Sequence, residues 1–389
     1  MEQICAKSEC YGCGACYNIC PTGAIRMVPD EEGFLYPKID QSKCTDCGKC
    51  KSVCQVYHDS PLEENFNQRY FAVKHSDKIR KTSSSGGLFT ALSDYFLENE
   101  GFIVGAGYDD NFKVVHKLVS DEKGRNSLRG SKYVQSDMKD IYLKVGDLLD
   151  GGNLVLFTGT PCQVEGLNLF LQKDYKNLTT VDLVCHGVGS PKVFDSFLKY
   201  IQEKAGDKLV NYNFRDKKLG WRGYNVSAEY KNKKVTSKLW LKSFNYLFSK
   251  NIINRPSCNT CKHFSYNRFS DITIGDYWGV EKYYPDFEDS LGVSLLMINT
   301  AKGKKLYKQI KDDLTQRKIR KEESKQNSLI RQPKKSKVRD EFWNYFRNRG
   351  YKVAIKKHGN YNYKGFIQDI LRRIVIHNPF ISKLYRKFR

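Results

Sequence analysis

Apolar positions recur along the chain with two periods, and the switches from one to the other mark its elements. Residues 70–73, 102–108, 113–119, 154–157, 181–184 and 271–275 predict strands. Helical spacing takes over in Leu88, Phe89, Leu92, Phe96 and Leu97, in Val164, Leu167, Phe170 and Leu171, and in Phe194, Phe197, Leu198 and Ile201. The last of these helices has Ser190 as its N-cap and Pro191 at its first position, where a missing N–H costs nothing. Alternating strands and helices predict an α/β body in two parts, residues 65–150 and 151–300. A polar segment from His58 to Asn65 has little to bury and reads as a linker before it. Residues 301–389 predict a largely helical tail, ending in a stripe of Phe366, Ile367, Ile370, Leu371 and Ile374, then Ile381, Leu384, Tyr385 and Phe388 beyond Pro379.

Residues 1–58 are ordered by cysteine rather than by apolar period. Cys10, Cys13, Cys16 and Cys20, followed by Pro21, are echoed at the same spacing by Cys44, Cys47, Cys50 and Cys54. That is a two-cluster ferredoxin signature: three Cys of each run wrap one 4Fe-4S cube, and the fourth reaches the other. Cluster one is expected on Cys10, Cys13, Cys16 and Cys54, and cluster two on Cys44, Cys47, Cys50 and Cys20. Disulfides or zinc sites fit these offsets less well, since zinc commonly takes two Cys pairs. The fold class is therefore α+β and α/β multidomain: a two-cluster ferredoxin unit, an α/β body and a basic helical tail.

Charge changes the picture only once it is located. The formal net charge is +23, but residues 301–389 hold 27 Lys and Arg against 7 Asp and Glu, leaving 39 against 36 for residues 1–300. A basic tail on a nearly neutral body does not read as a nucleic-acid-binding protein. In the tail, Arg372, Arg373, Lys383, Arg386, Lys387 and Arg389 flank the apolar stripe, which suits an anionic membrane surface or an acidic partner. The alternative is a stripe docked on the body with its cations solvated. The run from Arg331 to Arg339 lacks a stripe and reads as a solvated linker. Thirteen Cys with no apolar leader, and no apolar run of about 18 residues, predict a cytoplasmic protein that is at most peripheral to the membrane.

Two predicted strands of the body run into cysteine, one through Thr158, Gly159, Thr160 and Pro161 to Cys162, the other to Cys185, His186 and Gly187. Open α/β sheets build their sites at such carboxyl ends. With Cys258 and Cys261 they complete a thiolate set for a third cube, zinc or no metal being the alternatives, and only Cys5 is left over. His186 is expected as a hydrogen-bonding neighbour rather than a ligand. Ahead of the helix at Leu88, Ser84, Ser85, Gly86 and Gly87 give backbone N–H groups access to an anion such as a dinucleotide pyrophosphate, unless the loop is an ordinary cap.

Ser84-Ser85-Gly86-Gly87, Ser131-Lys132-Tyr133, Gly159-Thr160-Pro161-Cys162-Gln163, Cys185-His186-Gly187, Cys258-x2-Cys261 and Gly275-Asp276 together resemble the coenzyme F-420 hydrogenase/dehydrogenase beta-subunit family. The resemblance implies FAD held non-covalently beside a 4Fe-4S cluster, exchanging a hydride with a small substrate or a deazaflavin-like coenzyme and single electrons with the clusters. It implies that Ser84, Ser85, Gly86, Gly87, Thr158, Gly159 and Thr160 hold FAD and that Lys132 sets positive charge beside the reduced flavin. It leaves residues 301–389, and with them the substrate and the redox partner, open. The family is also similar to bacterial proteins of surface-polysaccharide loci, so an electron-transfer adaptor without catalysis is the alternative function.

Overall fold

The computed structural model describes residues 3–58, 68–223, 225–361, 365–367 and 370–371. In the cysteine-rich unit a short helix, α1 (Ala15–Ile19), precedes two antiparallel strands, β1 (Ile25–Pro29) and β2 (Leu35–Ile39), with Ile25 opposite Ile39. The turn between them is tied by Asp30, whose Oδ1 accepts from the N–H groups of Glu32 and Phe34 at 3.0 and 2.9 Å. That leaves Glu31 and Glu32 free to meet the body.

The body is built on an eight-stranded sheet. β3 (Arg69–Lys74), β4 (Phe102–Tyr108), β5 (Val114–Val119), β6 (Val155–Gly159) and β7 (Leu178–Leu183) enter it first. β8 (Leu209–Asp216), β9 (Asn225–Tyr230) and β10 (Lys234–Thr236) then form a separate antiparallel sheet. β11 (Ile272–Asp276), β12 (Ser294–Ile298) and β13 (Thr315–Ile319) return to the first, whose order is β13-β3-β12-β11-β7-β6-β4-β5. The inner four, β11, β7, β6 and β4, run parallel, with antiparallel strands on both flanks. Every residue of β6 and β12 is buried, so both read as continuous apolar runs, as strands covered on both faces do.

The labelled helices are α2 (Leu88–Glu98), α3 (Glu122–Leu128), α4 (Ile141–Asp150), α5 (Pro161–Leu171), α6 (Pro191–Ala205), α7 (Ala301–Ile310) and α8 (Arg339–His358). Strand alternation assigns the faces. Ile103, Leu156 and Val181 pack with Leu92 and Phe96 of α2 and Leu306 of α7, while Val104, Val155 and Phe157 pack with Val145 of α4 and Val164 of α5. A further core joins α6, β8 and α8 through Phe194, Phe197, Phe214, Phe244, Phe342 and Trp343. Each fully buried ring of this kind contributes about 1.5–3 kcal/mol, enough to hold the second sheet on the first.

Packing moves the expected boundary at residue 300. α7 covers the large sheet, β13 pairs with β3 at its edge, and α8, broken at Gly350, closes the aromatic core. Residues 301–358 therefore complete the body, and a tail in the sense of the sequence reading begins after them. Arg339, expected in a solvated run, is buried: its Nη1 donates to Glu32 at 2.7 Å and its Nη2 to the Asn254 carbonyl at 3.1 Å. Of the terminal stripe, Phe366, Ile367, Ile370 and Leu371 are exposed rather than docked on the body, and the positions from Arg372 onward lie outside the described residues. Among the described residues no helix is long and apolar enough to cross a membrane.

Candidate functional site

Two cavities in the cysteine-rich unit sort its thiols. One, of about 370 Å³, is lined by Cys10, Cys13, Cys16 and Cys54; the other, of about 360 Å³, by Cys20, Cys44, Cys47 and Cys50. This is the crossed pairing that the spacing predicts, with one thiol of each run lent to the other cavity. No three His, Cys, Asp or Glu side chains among the described residues converge on a point that could hold one ion. The donor chemistry nevertheless fits a cube, whose four thiolates bind four separate iron atoms rather than one centre.

Cys5, left over in the sequence, lines the first cavity too. Its thiol hydrogen-bonds the sulfurs of Cys10 and Cys54, and that contact is the main reason the Cys10 thiol is lowered to about 6. Hydrogen bonds to ligand sulfurs raise a cluster's potential by offsetting thiolate charge. Cys5→Ala should therefore keep the full iron content and move the midpoint of cluster one downward alone, read by anaerobic redox titration. Loss of iron would make Cys5 a ligand instead.

The four cysteines of the body are also brought together. Cys162 stands in the first turn of α5, whose start is fixed by Pro161 and a capping box between Thr160 and Gln163. Thr160 Oγ1 lies 3.2 Å from Cys162 Sγ, and the Gly187 N–H donates to Cys185 Sγ at 3.3 Å. Cys258 and Cys261 come from the turn at Pro256–Thr260 and its cap. Burial pushes Cys162 and Cys185 up to about 12 and Cys258 up to about 11, and the thiols add to one another's shift: Cys185 acts on Cys162, Cys258 on Cys185, and all three on Cys261. Four buried thiols that resist ionising side by side are a set that a metal would deprotonate on binding.

This third set touches the first cavity. A Cβ on Gly166, one turn along α5 from Cys162, would lie 3.0 Å from Cys13 Sγ, and Gln55 Nε2 donates to the Cys162 carbonyl at 3.0 Å. Arg255, fully buried, clamps the two units: it donates to the carbonyls of Cys10 and Leu35 at 2.8 and 3.1 Å and to Gln135 Oε1 at 2.7 Å, and it lies over the Tyr36 ring at 4.1 Å. Gly12 is required there, because a Cβ would meet Gln135 Nε2 at 2.7 Å and Arg255 Nη1 at 2.8 Å.

The remaining motifs gather on the other side of the third set. Phe248 stacks on Tyr133 at 4.8 Å and meets the edge of His186 at 5.3 Å, linking the Ser131-Lys132-Tyr133 segment to the neighbour of Cys185. Arg215 Nη1 donates to Tyr133 Oη at 3.2 Å and to Asp276 Oδ2 at 2.8 Å; Trp221 Nε1 donates to Asp276 Oδ1 at 2.8 Å and stacks on Trp278 at 4.5 Å. Lys217 Nζ donates to the carbonyls of Arg80, Ser85 and Leu291, which fixes the serine-glycine loop from outside. Arg215, Lys217 and Trp221 escaped the sequence reading; the one signal was a Trp in an otherwise polar stretch.

Within that loop the expected anion donors are partly engaged. The Ser84 hydroxyl accepts from the Ser131 N–H at 2.8 Å, Ser85 Oγ donates to the Val293 carbonyl, and the Gly86 N–H donates to Ser294 Oγ at 2.9 Å. Gly86 packs so closely that a Cβ would lie 2.3 Å from the Val73 carbonyl oxygen; Gly87 is the left-handed N-cap of α2. Lys132 Nζ donates to the carbonyls of Ser127, Leu128 and Arg129 at the end of α3, and burial lowers its amine to about 7. Its charge reaches buried His116, whose Nε2 lies 3.2 Å from the Thr158 carbonyl. Thr158 Oγ1 donates to the Val104 carbonyl, and Gly159 ends β6 beside Gln163. Thr160 belongs with Cys162. The eight positions thus form a loop group, a strand-end group and one residue of the third thiol set.

The family model for the C terminus of the coenzyme F420 hydrogenase/dehydrogenase beta subunit matches residues 152–323, and that for the 4Fe-4S dicluster domain matches residues 9–57. The chain is 24% identical over 324 residues to the coenzyme F420-dependent sulfite reductase of Methanocaldococcus jannaschii, covering 79% of this chain and 46% of that protein. It is 42% identical over 36 residues to an uncharacterized ferredoxin of the same organism, 9% of this chain and 47% of that one. The chain spans about half the length of the curated relatives it matches. A chain of the F420-reducing NiFe hydrogenase complex from Methanosarcina barkeri superposes with a TM-score of 0.45 at 18% identity, covering 76% of this chain and 94% of that one. The thiol sets and the matched segments lead to one assignment: the chain belongs to the coenzyme F420 hydrogenase/dehydrogenase beta-subunit family and carries a 4Fe-4S dicluster domain.

Proposed function

We propose that the chain is an iron-sulfur flavoprotein oxidoreductase, with a third 4Fe-4S cluster on Cys162, Cys185, Cys258 and Cys261 and FAD among the motif residues around Ser84, Lys132, Thr158 and Asp276. A bound flavin would supply the exchange between a hydride and single electrons. The observation that carries the reading is the contiguity from Cys13 through Gly166 and Cys162 to Cys185, His186, Phe248 and Tyr133. The thiol sets and the motif residues form one unbroken sequence of contacts. Arg215, Asp276 and Lys217 hold the far wall in place, and a deazaflavin-like coenzyme or another small molecule is the two-electron partner.

Iron, sulfide and flavin analysis of anaerobically purified protein, with its visible spectrum, is the test. About one FAD per chain is expected beside the iron. Iron without flavin, after incubation with excess FAD, would leave the electron-transfer adaptor as the function.

For the terminal stripe we propose contact with anionic lipid, supported by the 54, 39, 41 and 55% exposure of Phe366, Ile367, Ile370 and Leu371 next to a basic run. The full chain is expected to pellet with anionic vesicles at low salt and not with neutral ones, and a truncation after Asn362 to stay in solution. Equal pelleting of the two proteins would exclude the contact.

A further inference from the structure

Acids and bases are sorted to opposite ends of the cysteine-rich unit. Residues 1–58 hold six Lys and Arg against seven Asp and Glu, a near-neutral count that hides the arrangement. At the β1–β2 turn, Glu32 pairs with Arg339 and Glu31 with Arg347 at 3.4 Å, while Ser190 and Lys192 donate to the carbonyls of Glu32 and Glu31 at 2.5 and 2.9 Å. The acidic end is thus consumed in docking on the body, and the first cavity faces the same way, against Arg255 and α5.

The second cavity faces out. Cys47 on its rim is exposed, and so are Lys43, Lys49 and Lys51 around it. Arg26 and Lys38 oppose each other across β1 and β2, next to the Ile25 and Ile39 pair that lines the cavity, and both are exposed. Asp40 and Asp46 are the acids among the described residues at this end, and Asp40 already lies within reach of Lys43 and Arg26. Five cations against two carboxylates stay net positive even after the roughly two negative charges of an all-thiolate cube.

We infer that this basic rim seats a small acidic one-electron carrier protein, for which cluster two is the point of exchange. The inference rests on the relay reading above. Each encounter moves one electron and no atoms: the carrier's centre is oxidised as cluster two is reduced, or the reverse, and two encounters match one hydride. Complementary charge would act mainly on the rate of encounter, and it would be screened by salt.

The test is anaerobic rapid mixing of the reconstituted full chain with a reduced acidic 2Fe-2S ferredoxin, following bleaching of the clusters. For the native sequence the second-order rate constant is expected to fall as salt rises. The variant K43E/K49E/K51E should react at least ten-fold more slowly at low salt and lose that salt dependence, while its iron content and its reduction by dithionite are unchanged. If the triple Glu variant loses iron, K43Q/K49Q/K51Q should show the same trend at smaller size. Equal rates for native and variant chains, or a native rate that rises with salt, would overturn the inference. Because the readout is cluster colour, a chain that binds no flavin still reports on the rim, so failure of the flavin reading is seen separately.

Discussion

With Cys258 and Cys261 both changed to Ser, reconstituted protein is expected to hold about eight iron atoms per chain in place of about twelve, as loss of one cube of three requires. Serine keeps the size of the side chain, so the turn at Pro256–Thr260 and the Arg255 clamp on Cys10 should survive. The two cavities of the cysteine-rich unit draw no ligand from this turn, and their spectra should persist unchanged. The change should instead cut the route from Cys13 to Tyr133 at its middle, so that dithionite still reduces the first two clusters while electrons no longer reach the motif pocket. Retention of all twelve irons would show that the four buried thiols are an apolar cluster and nothing more. Iron analysis and low-temperature electron paramagnetic resonance together decide the matter.

Local spacing carried much of this site, and distance in sequence hid the rest. The crossed thiol assignment was legible because each cube is wrapped by a single Cys-x2-Cys-x2-Cys run, and β4 was legible to the residue because a strand buried on both faces is apolar throughout. β13 was not: Thr315–Ile319 is an edge strand with exposed positions, so its polar sequence passed for tail. Arg339 and Arg255 look like any surface cation in the sequence; only the docking of the acidic β1–β2 turn and the carbonyls of Cys10 and Leu35 gives them partners. The same holds for Arg215, Lys217 and Trp221, whose partners Asp276, Ser85 and Leu291 come from other parts of the chain. The serine-glycine loop was found for its small residues, and one of its N–H groups turned out to be spent on Ser294.

Asp276→Ala should destabilise the folded protein by about 3 kcal/mol, the loss expected when one partner of a buried ion pair is removed. Arg215 is almost wholly buried, with a side-chain exposure of 5% against 18% for Asp276, so its guanidinium cannot recover the lost carboxylate from bulk water. Trp221 Nε1 loses its acceptor in the same step, and the stack on Trp278 loses the anchor that sets its plane. Asp276→Asn separates these effects: it keeps an oxygen for the Trp221 N–H and removes only the charge, so it should cost clearly less than Ala. Because Asp276 ends β11 beside the motif pocket, both variants should also weaken flavin retention, Ala more than Asn. Anaerobic denaturant titration of the cofactor-loaded protein, followed by tryptophan fluorescence, gives the order native, Asn, Ala. An Ala variant as stable as the native chain would mean that Arg215 is held by Tyr133 and its other neighbours alone, and that the carboxylate of Asp276 is retained for the ligand it faces.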